Sequence, residues 1–569
     1  MGVKRAVDIV LDIAQHRNRE KIYTYGPLIH NPQTIEILEK RGVFPLDDID
    51  EVEEGTIVIR AHGISPKDRE QISKKGMRIV DATCPKVARV QSIIRKHSKL
   101  GYTIIIAGNN AHPEVIGLMG YASGRGIVVS GPDEVADLPP LDKVCLVTQT
   151  TQNADVYDAI VKRTKERFPG AVVFNTICNS TERRQAEIRE LATKMDAIII
   201  VGGRNSANTQ QLAAISRDYG TPTYHIEMAD ELKTFDLSGF ENIGVSAGAS
   251  TPNWITDGVI DYLSHYHEKR GPRGLRYLYN LWIFLVRTDL YSAIGAGCLT
   301  GASMFLQELK VSILNILIAA FYVYAVHTIN RLKDRNVGRI MGSFREELYI
   351  RHKKTYYFLA LCCLFVAIGL SFAAGTAPFA ILLMLALFGV LYNIRLFPAS
   401  WGFRRPADIP ASKSIFVALA WATITVLVPR FTLELSISAG MVVAFLFVFT
   451  LVFAKSSLSD MVDIQSDRLV GEETIPVVIG EQKTRILLTV ITALMGLILL
   501  GGVSLGYTGT AGLALLISIF YIWICLRLCD KKARFSSIVL EGLLGTNYIV
   551  TGLSIALWSL LLQGVPGKW

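Results

Sequence analysis

The sequence predicts two architectures in one chain: an α/β unit followed by an all-α bundle suited to a lipid bilayer. Three observations carry this. Up to about residue 270 charged residues are dense and apolar runs are short. From about Leu281 to Leu562 apolar runs follow one another, most of them long enough to cross a bilayer, and charge collects in a few loops. Within the first part, short β-rich runs alternate with turns and helical periodicity, the pattern of parallel sheets.

At 569 residues the chain has room for several domains. Half the residues are hydrophobic and mean hydropathy is +0.33, too high for a soluble protein and too low for membrane helices alone. A formal charge of +9 raises nucleic acid as a partner. The basic residues of the second half fall where cytoplasmic loops belong, so the positive-inside rule accounts for them and no nucleic acid is expected. The eight cysteines (Cys84, Cys145, Cys178, Cys298, Cys362, Cys363, Cys525 and Cys529) form no CxxC pair, and no disulfide framework is expected. The start, MGVKRAVDIVLDIAQ, reads as an amphipathic helix with no apolar signal core or cleavage site. Ala6 stands where a myristoylation signal has Ser or Thr, so that modification is not expected.

In the first half, strands are expected at Thr56–Arg60, Thr103–Ala107, Val144–Val147, Ala197–Val201 and Asn242–Val245. Each ends in a small or polar cluster: AHG at 61–63, GNNAHPE at 108–114, TQTT at 148–151, GGRNSANT at 202–209 and SAGAST at 246–251. Ligands of open parallel sheets bind beyond the carboxyl ends of the strands. His, Thr, Ser, Asn and Gly delivered there make a polar cavity, and backbone N–H groups at helix starts add positive potential. Singly, each cluster is also what an ordinary turn contains. Cys84 in DATCPKV and Cys178 in FNTICNST each precede a helix start, where the dipole favours thiolate. Spacing alone leaves a structural role open for both.

HN at 30–31, AHG, DATCP at 81–85, HPEVIG at 112–117, TQTT, NTICNST, NSANT and AGAST occur in order between residue 1 and roughly 265. This set resembles the 4-hydroxy-3-methylbut-2-enyl diphosphate reductase (LytB) family. The resemblance implies an α/β trefoil of three lobes around a [4Fe–4S] cluster. It implies reductive removal of the substrate hydroxyl as water, giving isopentenyl and dimethylallyl diphosphate, with a ferredoxin or flavodoxin as electron donor. Carried over by position, Cys84 and Cys178 are cluster thiolates. His30, His62, His112, Thr151, Ser206, Asn208 and Ser250 bind the diphosphate substrate. Glu114 relays protons to the leaving hydroxyl, and Thr150 orients it. Ala207 replaces a Ser of some relatives. The family opens GFCxGVxRAV where this sequence begins MGVKRAV, so a first cluster cysteine is expected immediately before Met1, from an earlier start. A cluster held by two cysteines, labile or absent, is the alternative.

In the second half, nine spanning helices are expected, at about 288–306, 311–329, 355–374, 377–395, 412–429, 435–455, 486–505, 509–527 and 538–562. Loops such as RLKDRNVGR (331–339) and RLFPASWGFRR (395–405) are basic, whereas GTA (375–377) on the other side is short and uncharged. The asymmetry predicts a multi-pass protein of a bacterial-type inner membrane, with basic loops and the first half in the cytoplasm. HEKRGPRGLR (267–276) reads as a linker that also touches anionic headgroups.

Carboxylates gather at one membrane edge. Asp460, Asp463 and Asp467 follow the sixth apolar run, and Asp463 and Asp467 share a helix face. Asn330 and Asp334 have the same spacing after the second run. Two such pairs suit Mg²⁺ bridging a diphosphate. Helix-end polar residues paired with Arg and Lys are the plainer alternative. DxxDxxxDxxxGxxTxPxxxG resembles the UbiA family of intramembrane prenyltransferases, and NRLKD at 330–334 keeps the Asn and Asp of its first motif, with Arg331 and Gly338 in place of outer carboxylates. The resemblance implies Mg²⁺ at Asn330, Asp334, Asp463 and Asp467, and prenyl diphosphate near Tyr392 and Lys413. Its chemistry is Mg²⁺-assisted ionisation of an allylic diphosphate and capture by an acceptor.

The expected organisation is therefore a reductase domain over 1–265, a linker over 266–279 and a transmembrane prenyltransferase domain over 280–565, acting in one isoprenoid pathway at the bilayer. A cluster-free diphosphate-binding module joined to a non-catalytic membrane anchor is the alternative. Channelling between the domains is an expectation resting only on their covalent linkage.

Overall fold

A computed structural model of the chain describes residues 2–16, 21–29, 32–267, 273–333, 349, 351–392, 394–398, 403–470, 472–529 and 537–563. It divides into two compact units, Met1–Val259 and Ile260–Trp569.

The first unit contains three separate parallel sheets. The strands are β1 (Ile22–Tyr25), β2 (Val43–Leu46), β3 (Thr56–Ile59), β4 (Arg78–Asp81), β5 (Thr103–Ala107), β6 (Gly126–Val129), β7 (Val144–Thr148), β8 (Val172–Val173), β9 (Ala197–Val201), β10 (Thr223–Ile226) and β11 (Ile243–Ala247). Their orders are β2-β1-β3-β4, β6-β5-β7-β8 and β10-β9-β11. Helices α1 (Gly2–His16), α2 (Pro32–Glu39), α3 (Pro66–Lys74), α4 (Pro85–Lys99), α5 (Pro113–Met119), α6 (Pro132–Ala136), α7 (Ala154–Arg167), α8 (Asn179–Lys194), α9 (Ala207–Asp218) and α10 (Asn253–His267) connect and cover them.

The five expected strands are β3, β5, β7, β9 and β11, and they are distributed over three sheets. They include the strands with the strongest apolar runs, and β3, β7 and β9 are buried along their whole length. Four of the strands absent from that expectation, β2, β4, β8 and β10, lie at sheet edges and are partly exposed, so hydrophobic periodicity marks them weakly. The middle sheet shows the two-residue alternation directly. Ile104, Ile106, Cys145 and Val147 pack with Val90 and Ile94 of α4, while Ile105, Ala107 and Leu146 pack with Tyr157 and Ile160 of α7.

In the second unit, α11 (Arg273–Arg287) puts Ile283 and Val286 against Ile538 and leaves Tyr277, Leu278, Leu281 and Phe284 exposed. After it come α12 (Leu290–Leu306) and α13 (Ile313–Lys333). Among the described residues seven helices are long and apolar enough to cross a membrane: Ile313–Leu332, Lys353–Ala374, Ser412–Thr432, Ala439–Val462, Glu481–Ser504, Ala511–Cys529 and Ser537–Leu561. Leu290–Leu306 and Thr376–Leu391 are shorter apolar helices. The central helix, Ala439–Val462, contributes Phe447, Val448 and Leu451 to a core shared with Leu299, Val323 and Trp421. A π-helical turn at Thr423–Leu427 precedes Pro429, which lacks a backbone N–H. The carbonyls it frees find partners on α12: Ser303 donates to Thr425 and Gln307 Nε2 donates to Val426 at 3.3 Å.

Candidate functional site

The first unit assembles its polar groups at strand ends and helix starts. After β3 the chain turns through Ala61-His62-Gly63. Gly63 has φ +71°, and a Cβ there would collide with the Gln91 side chain, so this turn needs glycine. The Cys84 N–H donates to Ala61 O at 3.0 Å, tying the two strand ends together. Cys84 is the N-cap residue of α4 and Cys178 that of α8, so both thiols sit at helix starts, where the dipole is positive. Gly2 of α1 lies against Cys84: a Cβ there would be 2.7 Å from Cys84 Sγ. Across the pair, Lys86 Nζ donates to Asn179 Oδ1 at 2.8 Å. Burial pushes the Cys178 thiol up, but hydrogen bonds from Ser180 and Thr181 outweigh it and hold the thiol below its ordinary range.

Glu114 is the most distinctive ionisable group here. It is buried in the first turn of α5. Its Oε1 accepts the Thr150 N–H at 2.7 Å and its Oε2 accepts the Thr150 hydroxyl at 2.9 Å. Burial dominates over both hydrogen bonds and pushes the carboxyl up to about 7. The Thr150 carbonyl in turn accepts the Cys178 N–H at 2.9 Å, so carboxyl, threonine and cysteine form one connected line. His112 Nδ1 accepts the Glu114 N–H at 3.2 Å, which leaves Nε2 to carry the proton of a neutral ring. The His62 and His112 rings meet edge to face at 5.4 Å. Gln149 Nε2 holds the Thr151 hydroxyl at 2.8 Å.

Ser206, Asn208 and Ser250 form a second group, at the ends of β9 and β11. Gly202 and Gly248 let the backbone press against Thr209 and Thr251; a Cβ on Gly202 would be 2.6 Å from Thr251 Oγ1. Asn208 is buried, yet neither its Oδ1 nor its Nδ2 has a partner among the described residues. An orphaned buried amide in the first turn of α9 is what a polar ligand is needed to complete. No described contact joins this group to the histidines. His30 lies outside the described residues. Cys145 is excluded as a ligand: it is fully buried in β7 and burial pushes its thiol up to about 12.

In the second unit, Tyr392, Lys413, Asp463 and Asp467 fall in one polar region with Asp460 and with four residues that were not singled out from sequence: Ser412, Ser414, Glu472 and Thr474. Lys413 Nζ pairs with Glu472 at 2.7 Å, and Ser414 donates to the buried Asp460 at 2.8 Å. Asp467 accepts from Thr474 at 3.0 Å, and the Tyr392 and Ser412 hydroxyls lie 2.9 Å apart. The signal for Glu472 was its place five residues after Asp467, in the same GEET segment. Burial first, then the Asp460 carboxylate, push Asp467 up to about 8 despite Lys413 nearby. Such crowding of carboxylates is relieved by a cation. Asn330 is exposed near the end of α13, with no described contact to this region, and Asp334 lies outside the described residues. Arg331, at a position of a lost carboxylate, pairs with the buried Asp289 at 2.9 Å, and Tyr349 donates to the same carboxylate at 2.8 Å. Its role here is to tie the end of α13 to the start of α12.

Thus a polar α/β unit with two free thiols at helix starts and a proton-holding carboxyl precedes an apolar helical unit with an acidic cluster, the build of an oxidoreductase joined to a membrane-embedded transferase. Residues 1–264 match the LytB protein family and residues 290–544 match the UbiA prenyltransferase family. The 4-hydroxy-3-methylbut-2-enyl diphosphate reductase of Geotalea uraniireducens is 41% identical over 269 residues, which are 47% of this chain and 95% of that protein. The reductase of the same description from Aquifex aeolicus is 41% identical over 261 residues, 45% of this chain and 90% of that protein. A solved UbiA homolog from Archaeoglobus fulgidus, bound to GPP and Mg²⁺, aligns with 48% of this chain and 99% of its own at 16% identity and a TM-score of 0.35. The chain belongs to the 4-hydroxy-3-methylbut-2-enyl diphosphate reductase family and carries a UbiA prenyltransferase domain after it. A non-catalytic module and anchor is not favoured.

The donor sets can be compared with the groups these families imply. Cys84 and Cys178 suit two corners of an iron–sulfur cluster: both cap helices, and one thiol is held low. Asp463 and Asp467, with a crowded negative charge, suit a hard cation such as Mg²⁺. Among the described residues no group of three or more His, Cys, Asp or Glu converges closely enough to hold a metal ion. The described residues therefore supply part of each ligand set.

Proposed function

We propose that residues 1–265 reduce 4-hydroxy-3-methylbut-2-enyl diphosphate to isopentenyl and dimethylallyl diphosphate, and that residues 280–565, beyond a linker at 266–279, transfer a prenyl group to an acceptor in the membrane with Mg²⁺. The first reaction balances as R–OH plus two electrons and two protons giving R–H and water. A [4Fe–4S] cluster would be held in part by Cys84 and Cys178, within a three-lobed trefoil, and would supply those electrons when bound. The remaining work falls to the chain. His30, His62 and His112 face the diphosphate, with Thr151, Ser206, Asn208 and Ser250 as hydroxyl and amide donors. Glu114 keeps a proton near neutral pH and delivers it towards the leaving hydroxyl, which Thr150 orients. The observation that carries this reading is the Glu114–Thr150–Cys178 line: a carboxyl pushed up to about 7, one residue from a helix-capping thiol. A ferredoxin or flavodoxin brings the electrons.

In the second reaction, Asn330, Asp334, Asp463 and Asp467 would hold Mg²⁺, which would supply positive charge to the leaving diphosphate, and Tyr392 and Lys413 would bind the prenyl diphosphate. The nine-helix bundle lies in a bacterial-type inner membrane with the reductase unit in the cytoplasm, a placement supported by the basic loops. Anaerobic purification followed by iron, sulfide and turnover analysis tests the first assignment. A cluster-loaded protein that binds no isoprenoid diphosphate overturns it.

A further inference from the structure

Between β9 and α9 the chain runs through Gly202-Gly203-Arg204-Asn205-Ser206, and two of the residues assigned to the diphosphate begin at its end. Ser206 is the buried N-cap residue of α9, yet its hydroxyl makes no cap bond, and Asn208 in the first turn keeps its orphaned amide. Gly202, at φ +149°, is pressed against Thr209 and Thr251: a Cβ there would be 2.8 Å from Thr209 Oγ1 and 2.6 Å from Thr251 Oγ1. Thr251 follows Ser250, so a shift of Gly202 alters the spacing between Ser250 and the start of α9. A loop of this kind has no ladder of its own, and its backbone groups need partners. Several come from residues 225–231, outside the polar strings at 202–209 and 246–251. His225 Nε2 lies 2.9 Å from Gly202 O, and a carbonyl only accepts, so Nε2 donates. Glu227 Oε1 accepts the Arg204 N–H at 2.7 Å. Glu231 Oε2 accepts from Arg204 Nη2 at 2.6 Å, while its Oε1 accepts the Glu227 N–H at 2.7 Å and the Met228 N–H at 3.1 Å. From the helix side, Gln210 Nε2 donates to Arg204 O at 2.6 Å. Burial pushes the Glu231 carboxyl up, but the Glu227 N–H, Arg204 and the Met228 N–H outweigh it and hold it below its ordinary range.

We propose that His225, Glu227 and Glu231 are positioning residues for the diphosphate: without touching it, they fix the 202–206 loop so that Ser206, Asn208 and Ser250 are set for one ligand. The inference rests on the reductase reading above and deepens it. Arg204 is exposed, and a lone surface ion pair adds little to stability. Here the carboxylates also grip backbone N–H groups, which fixes the direction of the main chain rather than the strength of the fold. A loop held in advance loses less freedom when the ligand arrives, so loosening it costs affinity. The proton path through Glu114 and Thr150 uses none of these groups, so the chemical step is left intact.

The test uses the full chain with its cluster loaded. Turnover is measured with dithionite as reductant, and inorganic pyrophosphate is titrated calorimetrically as a probe that undergoes no reduction. Glu227→Ala should raise KM for 4-hydroxy-3-methylbut-2-enyl diphosphate and Kd for pyrophosphate by about fivefold or more, with kcat within about twofold of the parent and iron content unchanged. Glu227→Gln keeps an acceptor for the Arg204 N–H and should recover most of the affinity. Where Glu227→Ala folds poorly, His225→Phe makes the same comparison, because it leaves the Gly202 carbonyl unanswered. Glu190→Ala breaks an exposed pair with Lys194 in the same unit and should change neither constant. Unchanged KM and Kd in Glu227→Ala and His225→Phe overturn the inference. A parallel fall of kcat, iron content and affinity, with no recovery in Glu227→Gln, also overturns it, since that is the mark of a merely structural network. A cluster-loaded parent that binds neither the substrate nor pyrophosphate counts against the reductase reading itself and takes the inference with it.

Discussion

At Glu114, burial and the two donors of Thr150 act in opposite directions, and burial wins. A carboxyl raised from 4.5 to about 7 stays protonated in the folded protein where the unfolded chain has ionised it. Folded stability therefore falls as pH rises from about 4.5 through about 7, by up to ~3 kcal/mol for the full shift. Glu114→Gln removes that penalty. Its denaturation midpoint should exceed the parent's at pH 8 and match it near pH 4, while turnover drops at least ~100-fold, the usual scale for losing a general acid. The parent's activity should lose its proton donor as pH rises through about 7. Equal stability of variant and parent at pH 8 would show that the carboxyl is solvated. In the second unit, Asp463→Ala should abolish Mg²⁺-dependent transfer of labelled prenyl groups from an allylic diphosphate, and removal of Mg²⁺ with a chelator should do the same to the parent. Most of these residues were legible in sequence because they sit in dense polar strings after apolar runs. Asp289 and Glu472 were not, because their importance lies in the partners Arg331 and Lys413, distant in sequence.

Elements deliver those residues through a few tight turns. Gly63 is the sharpest case: its φ of +71° is a left-handed conformation that residues with a side chain rarely adopt, and a Cβ there would also have to displace the end of the Gln91 side chain. Gly63→Ala should cost about 1–2 kcal/mol in chemical denaturation, from the backbone conformation alone, before Gln91 moves. It should also weaken diphosphate binding, since His62 is the preceding residue. The buried strands announced themselves by β-branched runs, as at Ile104–Ile106 and Ile198–Ile200, where every side chain is out of water. Edge strands such as Arg78–Asp81 did not, because half their positions meet solvent and carry polar residues. The π-helical turn at Thr423–Leu427 was equally silent. It depends on Ser303 and Gln307 from another helix accepting the geometry that Pro429 imposes.

For the whole molecule, the two compact units at Met1–Val259 and Ile260–Trp569 each have their own core. Cleavage at a protease site inserted into 268–272 should release a soluble fragment that retains dithionite-driven reductase activity, with the remainder staying in the membrane fraction. Loss of reductase activity on cleavage would mean that the first unit depends on the second. With a chain-elongating enzyme added, the same cut tests channelling: lower coupled flux supports it, and unchanged flux removes it.

The sequence by itself determined the division into an α/β part and a membrane part, the buried strands, the helix starts at Cys84 and Cys178 and the family motifs, because each is written in local composition and spacing. Tertiary structure alone decided how the strands are ordered within each sheet, that Glu114 holds its proton, that Glu472 pairs with Lys413 and that Arg331 serves a buried carboxylate. These depend on which distant groups share a dry or crowded volume, and dielectric surroundings and long-range pairing leave no trace in a window of neighbouring residues.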